Sequence, residues 1–499
     1  MISATIHAAL HALRETWIYI IFLYIAFQIV YRQWFAPLHD IPGPWLARHT
    51  RLWKLCSYAT GRYNNIAREL HAKYGPLVRI APGDFSATGV DALRTIYSAG
   101  SGFTKSNWYR ASQAANPRIA SLFTIRDEKW HGTLRRKYAH AFSMTALLEQ
   151  EQYVDSTSRV FLEKMDAFAR THEVIDFGLW LRYYAFDVIG ELTFAKRLGF
   201  IEGRENMRDI LKAIDIHFLY SSLAGVYWQF HPIMIKVLTL FKLGSTEIMR
   251  FASEETALRL SEKEDSGHQD FLSRFVNQHK ANPTAFTEDE IRRGCLSNIT
   301  AGSDTTAISL RAIFYHMLKR PSTYSKLRAE IDALTAEGKI SVPVTYKETL
   351  AMPYFQAVLK EALRCHSATG FPLERVTPPE GATINAHFLP HGTVVGINSW
   401  VIHNDPTIFG EDVDVFRPER WLVSEAQYRI MDRSFFAFGG GSRTCIGKNI
   451  SLMEMSKLVP EIVKSYDLTL ANPKEEWKTY THFFVRQEGF MVRLSPRAA

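Results

Sequence analysis

A cysteine near the C-terminal end of the chain stands in a glycine-rich run that could make it a ligand for iron. The run is Phe438-Gly-Gly-Gly-Ser-Arg-Thr-Cys-Ile-Gly447 and contains Cys445. Glycines let backbone N–H groups turn toward a sulfur atom, and a cysteine binds a metal only as the thiolate. Arg443 could meet a carboxylate, and the Phe438 ring could shield one face of a cofactor. The spacing indicates a haem held by one thiolate, and the alternative is a glycine-rich turn beside an inert cysteine.

The order F-x-x-G-x-R-x-C-x-G in this run resembles the signature of the cytochrome P450 superfamily. The resemblance implies haem b, iron protoporphyrin IX, with Cys445 as its axial ligand, because a thiolate favours cleavage of a bound O–O bond. Gly447 would let the following helix approach closely. The implied fold is mainly helical with a smaller β region (α+β), over essentially residues 40 to 495.

A long helix is expected upstream of this cysteine. Thr287-Glu-Asp-Glu290 has the form of a capping box, and an apolar-rich periodic stretch runs from Ile291 until Pro321 ends it. Helix geometry gives this stretch a length of roughly 50 Å, enough to cross a large domain. Small and polar residues interrupt its middle, where strong helix formers would otherwise be expected.

The interruption is Ala301-Gly-Ser-Asp-Thr-Thr306, which matches the distal-helix motif of the same superfamily at every position. Ala301 and Gly302 would let the helix backbone lie against a flat haem face. Asp304 and Thr305 would act as catalytic residues that deliver protons through water to oxygen bound at the haem. The motif alone is equally compatible with a Thr305 hydroxyl bonded to a helix carbonyl and a solvated Asp304.

A pair of opposite charges precedes the cysteine by about eighty residues. Glu361 and Arg364 lie three positions apart on a helix expected to begin near Pro353, so their side chains share one face. The resemblance implies that they form a structural triad with Arg420 that stabilises the haem-bearing loop. Trp421 follows where the superfamily usually has phenylalanine, a departure that concerns packing. In isolation the pair could be an ordinary surface ion pair.

Further residues are expected to contact the haem propionates. Arg375 matches the superfamily's propionate-binding arginine, with a surface strand arginine as the alternative. The superfamily has tryptophan and arginine separated by three residues, whereas four residues lie between Trp130 and Arg135. His131 has the expected spacing to Arg135. We therefore assign Arg135 and His131 to the haem and expect Trp130 to pack in the core.

The N-terminal segment indicates where the protein works. Residues 17–31 form an uncharged, aromatic-rich stretch, slightly shorter than the roughly twenty residues usual for a membrane span. We expect a membrane anchor with one transmembrane helix in residues 1–35, a proline-rich hinge in residues 36–45 and the catalytic domain in residues 46–499. Basic residues follow the stretch, which predicts a cytosolic catalytic domain at the endoplasmic reticulum membrane. A cleaved signal peptide is the main alternative.

Composition agrees with a reducing compartment and a large core. The chain has 499 residues, 46% of them hydrophobic and 13% aromatic, enough to bury a planar cofactor. Its four cysteines are widely spaced without a C-x-x-C pair, which argues against a disulfide framework or a zinc site. No internal repeat or low-complexity linker divides the sequence after the hinge, so we expect one catalytic domain.

The net charge of +8 suggests an acidic partner. No RNA- or DNA-binding signature accompanies the charge, so we expect no nucleic-acid partner. The resemblance implies that an acidic flavoprotein, NADPH–cytochrome P450 reductase, binds the cysteine side of the haem, and cytochrome b5 is a further candidate partner. The basic residues expected on that side are Lys129, Arg135, Arg136, Lys137, Arg443 and Lys448.

The resemblance implies a membrane-anchored haem-thiolate monooxygenase that inserts one oxygen atom from O2 into a lipophilic small molecule. Residues 74–80 and 184–194 look most like fungal members of the pisatin demethylase-like group, which implies biosynthesis or detoxification of a natural product. A haem-thiolate isomerase, dehydratase or peroxide-using enzyme is the alternative, and the Asp304–Thr305 pair counts against it. A haem-based sensor is disfavoured because it needs no large apolar channel. The aromatic residues 214–237 are expected to form a membrane-dipping mouth of such a channel, with core packing as the alternative.

Overall fold

Helices form most of the structure. The computed structural model describes residues 2–113, 120–203, 207–240, 246–261 and 267–497. Its helices are α1 (Ile2–Trp34), α2 (Trp45–His49), α3 (Leu52–Ala59), α4 (Tyr63–Tyr74), α5 (Val90–Tyr97), α6 (Glu128–Ala139), α7 (Met144–Leu148), α8 (Glu151–Thr171), α9 (Phe177–Phe194), α10 (Met207–Ala224), α11 (His231–Leu240), α12 (Thr246–Ser261), α13 (Phe271–Ala281), α14 (Glu288–Lys319), α15 (Pro321–Ala336), α16 (Tyr346–Thr349), α17 (Pro353–Cys365), α18 (Ser399–Ile402), α19 (Pro406–Phe409), α20 (Glu425–Ser434) and α21 (Lys448–Ser465).

The smaller β region confirms the predicted fold class. Its strands are β1 (Leu77–Ala81), β2 (Asp84–Ala87), β3 (Thr104–Lys105), β4 (Val174–Asp176), β5 (Arg375–Val376), β6 (Ala382–Ile384), β7 (His387–Leu389), β8 (Val394–Ile397), β9 (Tyr466–Leu470), β10 (Lys478–His482), β11 (Phe484–Glu488) and β12 (Met491–Pro496). One sheet has the order β1-β2-β8-β5-β3, with only the β2–β8 pair parallel. A second sheet is β4-β12-β9, and β6–β7 and β10–β11 are hairpins.

The long helix predicted around residues 301–306 is α14, which has 32 residues and a buried centre. The predicted capping box is confirmed: the Glu290 N–H donates to Thr287 Oγ1 at 3.3 Å, and the Thr287 N–H donates to the Glu290 carboxylate at 2.9 Å. α14 packs against α9, α17 and α21. It therefore crosses the core and carries the residues of its central motif into the middle of the molecule.

The N-terminal helix α1 covers the segment expected to be an anchor. Its aromatic side chains Trp17, Phe22 and Phe27 are more than half exposed. Of the helices in the described ranges, none is both long enough and apolar enough to cross a membrane. The expected transmembrane helix is therefore not supported, since the uncharged stretch 17–31 has only 15 residues and includes three tyrosines and a glutamine.

Candidate active site

Cys445 lies in a loop between a short 3-10 helix, Gly441–Arg443, and the start of α21. Its backbone N–H donates to the Phe438 carbonyl at 2.9 Å, which closes the loop. Its side chain is exposed to an internal cavity that the loop helps to line. Burial raises the pKa of the thiol, and the backbone N–H groups of Gly447 and Lys448 act against that rise. These donors are oriented to stabilise a thiolate once a metal binds it.

The glycines of this loop have different steric roles. Gly441 has φ +62°, and a Cβ atom there would lie 1.7 Å from the Tyr97 carbonyl oxygen, so the loop requires glycine at that position. Gly447 was expected to let the next helix approach closely. A Cβ atom at Gly447 would meet only Cys445 Sγ, at an ordinary 3.9 Å, so helix packing does not require this glycine.

The cavity separates the cysteine loop from the middle of α14. It brings together most of the residues assigned from the sequence, namely His131, Arg135, Ala301, Thr305, Arg375, Phe438, Arg443, Cys445 and Gly447. Asp304 is absent from this lining. Lys105 and Tyr109, which no sequence motif marked, also line the cavity. Ala301 and Gly302 leave the α14 backbone open to the cavity, as a flat cofactor would require.

Two cations face each other across a strand pair at the cavity wall. Lys105 on β3 is the direct partner of Arg375 on β5. Like charges directly opposite each other destabilise a sheet unless an anion balances them. Lys105 Nζ donates to the Phe123 carbonyl at 2.6 Å, and Arg375 donates to the Glu374 carbonyl at 2.9 Å, so neither of these contacts is with a carboxylate. The pair therefore fits the propionates of a haem.

Other basic residues extend this cation group. Burial, together with Arg443, Lys105 and other cations, lowers the pKa of His131 to about 3, so this imidazole is neutral. Burial also lowers the pKa of the half-buried Arg135. Arg443 donates to Glu128 at 2.6 Å, so its charge is already balanced, which the sequence did not predict.

The position of Trp130 corrects one prediction. It is 42% exposed on α6, so its expected place in the core is wrong. Its backbone N–H donates to Asp127 at 2.6 Å in the helix cap, and the next residue, His131, is the one that is buried. Consecutive side chains on a helix are rotated by about 100°, so His131 points into the core while Trp130 does not.

Asp304 lies on α14 but is buried behind the cavity in a charge network. Arg182 on α9 donates to its carboxylate at 2.7 Å, and Arg486 on β11 also donates to it at 2.7 Å. Both arginines donate to Asp215 on α10 as well. Burial alone would raise the pKa of Asp304, but Arg182 and Arg486 outweigh it and hold the pKa at about 2. The carboxylate is thus neither solvated nor free in the cavity.

We expect Asp304→Asn to lower the free energy of unfolding at neutral pH by about 3 kcal/mol, because it leaves the buried Arg182 and the partly buried Arg486 with only the 41% exposed Asp215 as a carboxylate partner. The folded pKa of about 2 lies below the usual unfolded value of about 3.9. The stability that the ionised Asp304 contributes is therefore fully present above about pH 4 and is lost as the pH falls toward 2. Unfolding measured from pH 7 to 3 tests this. Asp215→Asn, at a side chain that is 41% exposed, is the matched control and should cost less. A small, pH-independent effect of Asp304→Asn would contradict the ion pairs.

The two threonines of the α14 motif have different surroundings. Thr305 lines the cavity, and its Oγ1 donates to the Ala301 carbonyl at 2.7 Å, so the helix hydrogen bond considered as an alternative is present. The lone pairs of this oxygen remain able to accept a hydrogen bond from water in the cavity. Thr306 Oγ1 is buried and bonds to Ser451 Oγ at 3.2 Å on α21. Thr306 therefore ties two helices together.

The predicted triad is present and buried. Arg364 donates to Glu361 through Nε at 2.9 Å and Nη2 at 2.8 Å, and Arg420 Nε donates to the same carboxylate at 3.3 Å. Trp421 Nε1 donates to Glu361 at 2.9 Å. The tryptophan that the sequence suggested was a packing change is therefore also a hydrogen-bond donor to the triad.

His403 connects this triad to the cysteine loop. Its carbonyl accepts a hydrogen bond from Arg364 at 2.9 Å, and its Nε2 accepts one from the Phe436 N–H at 2.7 Å. Because a backbone N–H can only donate, the ring proton must be on Nδ1, which then donates to Ser367 Oγ at 2.9 Å. Burial lowers the pKa of His403 to about 3 and keeps it in this neutral form. No sequence motif marked this residue.

Comparison with known proteins defines the family. Residues 42–494 match the family model described as Cytochrome P450. The chain therefore belongs to the cytochrome P450 family and is an enzyme of its monooxygenase class. Members of this family bind haem through a cysteine thiolate and generally need a redox partner.

Curated relatives narrow the resemblance to fungal proteins. The chain is 39% identical to cytochrome P450 monooxygenase cicH of Emericella nidulans, over 92% of this chain and 94% of that protein. It is 36% identical to a pisatin demethylase of Fusarium vanettenii, over 94% and 92% of the two chains. Cytochrome P450 monooxygenase gsfF of Penicillium aethiopicum is 35% identical, over 96% and 97%. The predicted likeness to fungal members is confirmed.

Proposed function

We propose that this protein binds haem b through Cys445 and inserts one oxygen atom from O2 into a lipophilic small molecule, using electrons from NADPH. The main support for this proposal is the cavity that Cys445 and the small residues of α14 line together. Lys105 and Arg375 lie at its wall, opposite each other in a strand pair. Relatives named as monooxygenases of fungi, including a pisatin demethylase, support a role in secondary metabolism or detoxification.

The chain's own residues fit the cofactor. Cys445 would be the axial ligand, with the Phe438 ring beside it in the cavity wall. Lys105, Arg135 and Arg375 would balance the propionates, and the neutral His131 would donate a hydrogen bond to them. Haem bound through a thiolate supplies the activation of O2 and the transfer of one oxygen atom.

Thr305 is the residue proposed to handle protons inside the cavity. Its Oγ1 can accept a hydrogen bond from a water molecule and hold that water above the cofactor. Asp304 is proposed to resupply the proton through water from the far side of α14. Its pairing with Arg182 and Arg486 keeps the carboxylate ionised, so these contacts must loosen before it can carry a proton into the cavity.

Electron supply separates this function from its alternatives. With NADPH–cytochrome P450 reductase, we expect NADPH consumption that depends on the reductase and rises when a compound that shifts the haem absorption band is added. An isomerase, a dehydratase, a peroxide-using enzyme or a sensor would show no such consumption. The same assay measures peroxide and product.

Thr305→Ala should uncouple this reaction. We expect haem content and NADPH consumption close to the wild type, but product per NADPH lower by about tenfold or more, with peroxide released instead. Thr306→Ala is the matched control, because Thr306 is in the same cavity lining but its hydroxyl is buried and already bonded to Ser451. If Thr305→Ala forms as much product per NADPH consumed as the wild type, Thr305 does not handle protons.

A reductase would bind the exposed basic side chains near the cysteine loop. Lys129, Arg136 and Lys448 are exposed there. Lys137 and Arg443 form ion pairs with Glu290 and Glu128, so they contribute less than the sequence suggested. Cytochrome b5 is proposed to use the same surface as a second electron donor.

We place the protein at the cytosolic face of the endoplasmic reticulum membrane. Exposed aromatic residues on α1 and exposed apolar residues around α11, including Phe230 and Ile233, would contact the membrane interface. Deleting residues 1–35 should release most, but not all, of the protein from microsomes. Membrane sedimentation of the full chain and the truncated chain tests this. Unchanged sedimentation would remove the role of α1, and complete release would remove that of the α11 surface.

A further inference from the structure

Aromatic rings form one wall of the cavity above the cysteine. Phe123, Phe483 and Phe484 all line it. The Phe123 and Phe483 ring centroids are 5.3 Å apart, and those of Phe483 and Phe484 are 5.1 Å apart. Trp108 stacks on Phe483 at 5.4 Å, and Phe218 packs on Phe484 at 4.6 Å. The rings are therefore supported from behind and present a continuous aromatic surface.

The backbone turns unusually to place two consecutive rings in this wall. Along a strand, neighbouring side chains point to opposite faces. Phe483 lies at the tip of the β10–β11 hairpin with φ +68°, a conformation that bulky residues rarely adopt. Hydrogen bonds from the Gly370 N–H to the Phe483 carbonyl and from the Val485 N–H to the Ala368 carbonyl, both 2.8 Å, hold the tip.

The α14 wall of the same cavity carries almost no side chain at its centre. Ala301 and Gly302 present at most one methyl group to the cavity. A Cβ atom at Gly302 would lie 3.0 Å from Ile189 Cδ1, so a side chain there would require Ile189 to shift. This backbone face and the rings line one cavity, so a planar molecule bound beside the haem can contact both.

One polar side chain in this cavity lacks a good partner. Asn298 is buried on α14 one turn before Ala301 and lines the cavity. Its Nδ2 reaches only Thr193 Oγ1, at the outer limit of 3.5 Å, and its Oδ1 accepts no hydrogen bond from the described residues. The amide is open to the cavity and its Oδ1 is available, so a ligand oxygen placed here would form a hydrogen bond with it. In the described lining no aspartate or glutamate is present to balance a cationic amine.

We propose that the substrate is an uncharged, planar aromatic compound bearing a hydroxyl or carbonyl oxygen, held between the aromatic wall and α14 with that oxygen hydrogen-bonded to Asn298. This inference rests on the proposed function, since it describes the molecule that the cavity would oxidise. Phe123, Phe483 and Phe484 select the ring, and Asn298 selects the oxygen.

Three probes that share one skeleton test each part: 2-naphthol, naphthalene and trans-decahydro-2-naphthol. Binding to the haem-loaded protein is measured by the shift of the haem absorption band and by calorimetry. We expect 2-naphthol to bind about fivefold more tightly than naphthalene, the value of one hydrogen bond. We expect it to bind about threefold to tenfold more tightly than the saturated alcohol, the value of an aromatic contact.

Two substitutions assign the preferences to residues. Asn298→Leu should bring 2-naphthol to the affinity of naphthalene, whereas Ser297→Ala, at a neighbouring polar residue of the same lining, should keep the difference. Phe123→Leu should reduce the preference for 2-naphthol over the saturated alcohol while leaving the naphthol–naphthalene difference.

If a variant loses its haem, binding of the three probes to the wild-type protein still tests the proposal. The proposal would be overturned if the wild-type protein bound 2-naphthol and the saturated alcohol equally, or bound 2-naphthol and naphthalene equally. A preference for 2-naphthol over naphthalene that survives in Asn298→Leu would also overturn it. Failure of the proposed function is a separate result, since it would appear as wild-type protein without a thiolate spectrum, whereas calorimetry would still rank the probes.

Discussion

Cys445→Ser should abolish the red-shifted absorption band of the reduced, carbon-monoxide-bound protein. A serine oxygen at this position cannot donate electron density as a thiolate does. The backbone N–H groups of Gly447 and Lys448, which favour a thiolate, would then face a serine oxygen. Oxygenation should fall by more than the about 10–100-fold that substitutions around a metal ligand typically cost.

The control for this substitution is Cys56→Ser on α3, because Cys56 is exposed and does not line the cavity. It should leave the spectrum and the haem content unchanged. Haem content is measured beside the spectrum, since a protein without haem would also lack the band. A haem-loaded Cys445→Ser protein that keeps the red-shifted band would refute the assignment of the ligand.

Short-range patterns account for what the sequence predicted well. The capping box at Thr287 and the apolar periodicity after it are local signals, and they place α14 within a residue or two of its ends. The spacing of Glu361 and Arg364 on α17 is local as well. The loop around Cys445 could be identified from consecutive residues, because the N–H donors of Gly447 and Lys448 lie a few positions from the cysteine. The contact with Tyr97 that excludes a Cβ atom at Gly441 is long-range and could not be predicted.

Long-range contacts account for what the sequence could not show. The partners of Asp304 lie 122 and 182 residues away, so their pairing exists only once α9 and β11 pack on α14. Lys105 acquires its role from the register of β3 against β5, which no local pattern encodes. The transmembrane helix is unsupported for a different reason: the uncharged stretch 17–31 is shorter than a usual span, and its assignment relied on aromatic content.

The buried carboxylate of Glu361 is the centre of a hydrogen-bond network that includes Trp421. The carboxylate is fully buried and accepts hydrogen bonds from Arg364, Arg420, Trp421 and the Arg417 backbone N–H. Burial alone would raise the pKa of Glu361, yet these donors, with Arg364 first, keep the pKa below its usual value. Glu361 therefore balances the buried Arg364 and shares the buried Arg420 with Asp412, which lies 2.7 Å from that guanidinium.

Glu361→Ala should give protein that is haem-poor and aggregated instead of stable and inactive. Removing the carboxylate strands Arg364 in the core and leaves Arg420 with Asp412 alone, at a cost of about 3–5 kcal/mol, a large part of the about 5–15 kcal/mol that stabilises a typical domain. The damage should pass through His403 and Phe436 to the cysteine loop. Trp421→Phe is the matched control: it removes one donor to the same carboxylate, costs about 1 kcal/mol and should keep the haem. The test measures haem content per protein and the unfolding temperature for both variants. A Glu361→Ala protein with wild-type haem content and wild-type unfolding temperature would show that the triad does not support the haem-bearing loop.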